Sequence, residues 1–425
     1  MRNNIKSKIT IYLLINVLVI GGDDYKMPPK AIADIVDASA LPGISISPDK
    51  NQILIMERST LTSIEELSQP ELKLAGLRIN PIANGRSRAS YYTGLTIQNF
   101  KSGKQKKVKG LPPDGRISNV SWSPDGKNIA MAITKGNRIN LYIVNVKNAK
   151  AKLLFKSGLN AIYGTPFYWI SNSKELIVKT VIENRGEPPK PLTVPEAPVI
   201  QENLGTVAPV RTYQDLLTNT SDEKLFEYYM RSQLVKVTLA GKIKKIGRPG
   251  MIRRAEPSPD GKYILRETIH RPFSYLVSVY RFPFLVEILN KDGKLVHTVR
   301  DVPLAETVPI GRDAVMTGPR SFGWRSDEGS TIYYVEALDD GNPRKKVSYR
   351  DKVFTLKSPF NGNPKELIKL ELRYSSVYWG DEKTALVSAR KWTERRTTTW
   401  HVNPSNGKNR KIIDRSYEDR YNDPG

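Results

Sequence analysis

The chain has 425 residues, a formal net charge of +24 and no cysteine. The missing thiols exclude disulfides, thiol nucleophiles and Cys-based metal sites. The three histidines, His270, His297 and His401, form no His-Glu-x-x-His zinc pair, and no Walker phosphate loop or EF-hand pattern occurs.

The first element is an apolar run. Arg2, Lys6 and Lys8 precede Ile9 to Ile20, broken only by Thr10, Tyr12 and Asn16. That is the form of a signal peptide over residues 1–21, and the run is too short to span a bilayer as a helix. The expectation is an exported, periplasmic protein with no membrane span after cleavage; the alternatives are an uncleaved anchor or a misread start upstream of Met27.

Next comes a repeated phrase. Ser47-Pro48-Asp49-Lys50, Ser123-Pro124-Asp125-Gly126 and Ser258-Pro259-Asp260-Gly261 each precede a β-rich run: Ile53-Leu54-Ile55, Ile129 to Ile133 and Tyr263-Ile264-Leu265. Pro presets φ, Asp bonds back to the backbone and Gly tolerates positive φ, so each phrase is a tight turn between strands. Trp122, Trp169, Trp324 and Trp379, four of the six tryptophans, stand just before turns of this kind. A large aromatic in that slot packs against a neighbouring unit.

A second set of hairpins interleaves with the first. Leu95 to Gln98 runs to Gly103, Leu141 to Val144 to Asn148, and Leu234 to Val237 to Gly241. Leu285 to Ile288 runs to Gly293, Val353 to Leu356 to Gly362, and Thr399 to Val402 to Gly407. Alternating β-branched residues ending in Asx-Gly or Ser-Gly mark hairpins. Two hairpins make a four-stranded blade, so the pattern predicts an all-β propeller of about six blades over residues 27–425, with an incomplete seventh or more left open.

One interval is too long. Between Ser171 and Ser258 the chain carries a Pro-rich stretch from Gly186 to Val210, followed by a helical pattern from Asp222 to Arg231 with acidic residues early and Arg late. This insertion, at about 185–231, is expected to lie over one mouth of the propeller channel. Basic clusters at Lys104 to Lys107, Lys242 to Arg254, Arg344 to Lys346 and Arg390 to Arg396 fall at or beside hairpins, which reads as solvated turns rather than a nucleic-acid surface. No catalytic elbow is present: Gly43-Ile44-Ser45 runs on into Ile46-Ser47, and Gly318-Pro319-Arg320-Ser321 is out of phase with Gly-x-Ser-x-Gly.

Longer phrases carry a resemblance. Met27 to Ile32, Gln201-Glu202-Asn203, Arg211 to Leu217, Ser232-Gln233-Leu234, Pro257 to Gly261, Arg271-Pro272-Phe273-Ser274-Tyr275, Arg281-Phe282-Pro283 and Val335 to Asp339 resemble the prolyl oligopeptidase family of serine peptidases, in its glutamyl endopeptidase-like branch. The likeness runs from about Tyr25 to Gly425. It implies a propeller that restricts entry and helps to hold a peptide, next to an α/β-hydrolase domain carrying Ser, Asp and His. The branch is thought to cleave after acidic residues. This chain reaches Tyr421-Asn422-Asp423-Pro424-Gly425 with no hydrolase half and an expected shortfall of at least one blade, so no catalytic residue, metal or cofactor is assigned. The expected partners are a peptide and the missing α/β-hydrolase half.

Arg271, Tyr275 and Arg281 are the candidate peptide-binding residues. They are polar and aromatic where a buried strand would be aliphatic, and a guanidinium suits a carboxylate. The plain structural alternative is that both arginines pair with acidic residues between blades. Three functions compete: an inactive substrate-gating part of an exported peptidase, a self-sufficient peptide- or protein-binding propeller, and a polyanion binder resting on charge alone. The first is preferred.

Overall fold

The computed structural model describes residues 27–59, 61–190, 213–308 and 311–424. The expected signal peptide and most of the Pro-rich stretch lie outside the described residues. Apart from one small three-stranded sheet, the strands build six antiparallel blades of four, taken in chain order. Blade one is Gly43–Ile46, Gln52–Arg58, Tyr92–Asn99 and Gln105–Lys107; blade two is Arg116–Trp122, Asn128–Lys135, Arg138–Asn145 and Lys150–Phe155. Blade three is Phe167–Trp169, Glu175–Val181, Ser232–Thr238 and the first half of Ile243–Pro257. The second half of that strand opens blade four, followed by Tyr263–Ile269, Phe284–Asn290 and Leu295–Val302. Blade five is Arg320–Trp324, Thr331–Ala337, Asp351–Lys357 and Lys365–Leu370; blade six is Arg373–Asp381, Thr384–Lys391, Arg396–Val402 and Asn409–Ser416.

The repeated phrase has a shared mechanism. Ser123 Oγ donates to Asp125 Oδ1 at 2.7 Å and accepts the Asn128 N–H at 2.9 Å, which closes the turn and starts the second strand. Ser258 makes the same pair of bonds to Asp260 and Tyr263, and Ser47 to Asp49 and Gln52. The glycine slot needs positive φ: Gly126 has φ 68° and Gly261 φ 70°, and blade one holds Lys50 there at φ 59°.

The tryptophan slot is a hook between blades. The Trp122 indole N–H donates to Ser45 Oγ of blade one (3.1 Å), that of Trp169 to the Ser121 carbonyl of blade two (3.2 Å), and that of Trp324 to the Glu256 carbonyl of blade four (3.0 Å). Each hook lands one residue before the same slot in the preceding blade. These bonds join first strand to first strand, so the first strands ring the axis. A cavity there is lined by Ser121, Trp122, Tyr168, Trp169 and Glu256.

Apolar clusters fill the seams. Leu54, Leu95, Ile117 and Met131 join blades one and two; Leu141, Phe167, Leu176 and Val235 join two and three. Ile177, Ile246, Ala255 and Ile264 join three and four; Val286, Trp324 and Ile332 join four and five; Val353, Trp379 and Val387 join five and six. Among the described residues no such cluster joins blade six to blade one. No helix among them is long and apolar enough to cross a membrane.

Candidate functional site

Antiparallel blades sort their connections by end. First-to-second and third-to-fourth turns emerge at one end, and all are short. Second-to-third connections and blade-to-blade links emerge at the other, and these include the long spans 59–91, 182–231, 270–283, 303–319 and 338–350. The decorated end is therefore where a ligand meets something other than tight turns.

Three of these spans build a cap. The three-stranded sheet Leu72–Leu74, Leu77–Asn80 and Gly85–Arg86 comes from blade one, the helix Thr220–Met230 from blade three, and residues 271–283 from blade four. Their side chains share one buried cluster with Leu74, Leu77, Ile79, Phe226, Met230, Phe273 and Phe282. Phe226, Phe273 and Phe282 form its centre, with ring centroids 5.2 to 5.6 Å apart. Backbone bonds lock the pieces together: Val279 N–H to the Ala75 carbonyl (2.8 Å) and Gly76 N–H to the Asp215 carbonyl (2.7 Å). Gly76 has φ 78°, and a Cβ there would lie 2.6 Å from Ser278 Cβ, so only glycine fits this crossing. Arg78 Nε adds a bond to Asp215 Oδ2 at 2.8 Å. Blade one thus reaches past blade two to blades three and four.

The helix begins two residues earlier than its sequence pattern suggests, because Asn219 caps it by accepting the Asp222 N–H at 2.9 Å. Its acidic residues face residues 271–275. Arg271 Nε donates to Glu227 Oε1 at 2.8 Å, its Nη1 donates to Glu223 Oε2, and its guanidinium lies 4.7 Å from the Phe273 ring centroid. Tyr275 donates its hydroxyl to Glu223 Oε1 at 2.9 Å. Burial, then that bond to the carboxylate, pushes the Tyr275 phenol up to about 12.

The structure therefore brings Arg271 and Tyr275 together on one carboxylate and leaves Arg281 apart. Arg281 Nη1 donates to the carbonyls of Ala305 (3.0 Å) and Val308 (2.7 Å) in the link between blades four and five. Arg271 is paired with acidic residues, as the structural alternative has it, but with a helix of the cap rather than with a blade strand. Glu223, Glu227 and Asp215 were not singled out by sequence reasoning. The cue available was the acidic first turn of the helix, whose partner lies 48 residues on.

Beneath the cap sits a buried lysine. Lys179 Nζ donates to the Tyr163 and Ile252 carbonyls and has no carboxylate partner among the described residues, and burial pulls its ammonium down to about 7. At the same end, blades five and six are joined differently. Arg373 donates to Asp351 Oδ1 and Asp339 Oδ2, both at 2.6 Å; Arg350 donates to the same Asp339 oxygen and Arg320 to Asp351 Oδ2. Both aspartates are fully buried. Burial alone would raise Asp339, but its bonds to Arg373 and Arg350 hold it below the usual carboxylate range. Among the described residues no cluster of three or more His, Cys, Asp or Glu could hold a metal ion.

The chain is similar to a protein named probable glutamyl endopeptidase, chloroplastic, from Oryza sativa subsp. japonica, with 42% identity over 419 residues, 94% of this chain and 44% of that protein. A protein of the same name from Arabidopsis thaliana is 42% identical over 421 residues, 95% of this chain and again 44% of its own length. The chain thus spans less than half the length of the curated relatives it matches. No protein-family model matches. Among solved structures, it is similar in shape to a prolyl endopeptidase (13% identity, 91% of this chain and 45% of that one, TM-score 0.49) and to a Pyrococcus horikoshii acylaminoacyl peptidase (14% identity, 89% and 47%, TM-score 0.46).

Proposed function

The chain belongs to the propeller portion of the prolyl oligopeptidase family, in its glutamyl endopeptidase-like branch, and on that footing we propose that it is the non-catalytic, substrate-gating part of an exported serine peptidase. The observation that carries the reading is the cap. An entry-restricting element must cover a mouth, be built from spans of several blades, and be held by bonds that a substrate can compete for. The cap is built from spans of blades one, three and four at the decorated end, and its Arg271 latch is half-exposed, which supports this reading.

Its latch suggests how a peptide is handled. Arg271 is half-exposed and paired with Glu223 and Glu227, so a carboxylate on an incoming peptide meets a guanidinium already set for one. Exchange of the peptide carboxylate for Glu223 frees Tyr275 and loosens the helix from residues 271–275. Arg281 takes part by fixing the link that follows blade four. The two relatives are named glutamyl endopeptidases, and a peptide with an acidic side chain suits this exchange. They are also named chloroplastic. Together with the apolar run Ile9 to Ile20, that supports a protein carried across a membrane, and export to the periplasm is the form proposed.

The test is direct. The purified chain is expected to bind a fluorescent glutamyl peptide and not to cleave it, with binding lost in Arg271→Ala. Hydrolysis that persists through repurification and is blocked by a serine-directed fluorophosphonate would overturn the reading. Binding that ignores Arg271 would favour the self-sufficient binding propeller instead.

A further inference from the structure

We propose that a small pocket between the span 59–91 and blade two binds one acidic residue of a peptide, its carboxylate held by arginines and its N–H donated to Glu66. The proposal deepens the gating reading with a second contact for the same class of peptide, and rests on it only for the peptide's arrival at this end.

The floor of the pocket is blade two at the decorated end. Arg116 and Ser118 come from its first strand, the one that rings the axis, and Thr134 and Ile139 flank its second-to-third turn. The roof is the span from blade one: the short helix Ile64–Leu67, the strand Gly85–Arg86 and residues 88–91. Two contacts set its height. A Cβ on Gly85 would lie 2.6 Å from Ile139 Cδ1, so the small sheet rests directly on blade two. The Ala161 N–H donates to the Asn84 carbonyl at 3.1 Å. The cavity so enclosed is about 50 Å³, room for one polar head and not for a whole chain.

Its polar groups lack good partners. Glu66 is held in place by Ser63, which caps its helix and accepts the Glu66 N–H at 3.2 Å. The side chain is 7% exposed, yet Oε2 makes no hydrogen bond among the described residues. Its ion-pair partner, Arg116 Nη1, stands 3.8 Å away. The other two arginines of the lining are no better served. Arg86 Nε reaches the Ile162 carbonyl at 3.4 Å, Arg88 Nη2 reaches the Leu67 carbonyl at 3.5 Å, and Arg88 Nε lies 3.9 Å from Glu71 Oε2.

Buried polar groups are normally bonded. A carboxylate oxygen without a donor, beside guanidiniums without a close acceptor, fits a ligand that brings both. Three arginines against one carboxylate set the sign, and a guanidinium takes a carboxylate through two parallel bonds. Inorganic phosphate would satisfy the arginines but would set its charge against Glu66. An acidic residue places its carboxylate among the arginines and offers Glu66 an N–H.

The experiment uses the whole chain with N-acetylglutamate α-amide, and with N-acetylglutamine amide as its uncharged twin. Hydrogen exchange is read with the probe at about ten times its Kd, where binding slows local opening about tenfold. The glutamate form is expected to slow exchange over residues 61–69 and 85–91, and the glutamine form to leave it unchanged. Arg86→Gln, at an exposed position, should weaken the glutamate probe about tenfold without moving the melting temperature. Arg116→Gln should weaken it as well. Arg271→Ala should leave the slowing intact, so this site and the latch fail separately. Slowing confined to residues 220–230 and 271–275 would send the carboxylate to Arg271 and overturn the proposal while leaving the gating reading. Equal slowing by the glutamine form or by inorganic phosphate overturns it too, as does slowing by free glutamate alone. If Arg271→Ala left binding of the fluorescent peptide unchanged while residues 61–69 and 85–91 were still protected, the latch would fall and this site would stand.

Discussion

Two regions of the decorated end hold neighbouring blades together by opposite means. Blades one to four are bridged by an apolar cap centred on Phe226, Phe273 and Phe282, whereas blades five and six are joined by Arg373 set between two buried aspartates. Apolar contact is non-directional, so the cap tolerates small displacements of its parts, as the proposed gating role requires. The ion network is directional and costly to leave half-made, so it fixes one geometry and resists opening. The contrast predicts that the cap over the early blades yields more easily than the joint between the later ones.

The sharpest way to break the comparison is to remove Arg373. Arg373→Met leaves Asp339 and Asp351 buried without their shared cation, and should cost about 3–5 kcal/mol in urea unfolding. The same network sets an acid limit. Asp339 is held below its unfolded value, so it contributes stability at neutral pH that is lost as pH falls below about 4, through its folded value. A melting profile against pH checks the sign, and the acid loss should be smaller in Asp339→Asn, with the remainder carried by other lowered carboxylates such as Asp260 and Asp414. Phe226→Ala strikes the cap instead. It should cost about 3 kcal/mol, and hydrogen exchange should rise over residues 72–80 and 220–230 while blades five and six stay protected. If both variants loosened both regions alike, the two seams would be one cooperative unit.

Smaller effects sharpen the picture. Lys179 is pulled down to about 7 beneath the cap, so the unfolded chain binds its proton where the folded chain does not. Stability should therefore rise between about pH 7 and the unfolded value near 10.5. Lys179→Met should flatten that rise and raise the melting temperature at pH 6 by a few degrees, on the order of 1 kcal/mol or more. Trp122→Phe removes one hook near the axis, away from both regions, and should cost about 1 kcal/mol with no change in the cap.

The repeat made the blades legible. Ser-Pro-Asp-Gly turns, the tryptophan slot and the Asx-Gly hairpins are local chemistry, and each blade repeats it. The helix after the Pro-rich stretch was also readable, from its acidic start. The cap was not. Leu74, Phe226 and Phe282 come from three unrelated insertions, no period links them, and their meeting depends on how far each span reaches across the mouth. The latch was legible only in part: Arg271 and Tyr275 stand out as polar residues in an apolar setting, while Glu223 looks like any solvated helix carboxylate until the fold brings it to them. The Asp-Asp-Gly-Asn-Pro phrase marks Asp339 as a turn residue, and Gly341 N–H does bond to its Oδ1 at 3.1 Å. Its second oxygen, turned to Arg373 and Arg350, could not be foreseen from that phrase.

The hooks have a polarity that bears on how the molecule is made. Trp122, Trp169 and Trp324 each reach towards a blade that precedes them in the chain, and so towards one already synthesised when they leave the ribosome. Each of these blades can clasp its predecessor as soon as its first strand emerges, without waiting for anything downstream. Construction in that order keeps the exposed flank at the growing tip, one blade wide.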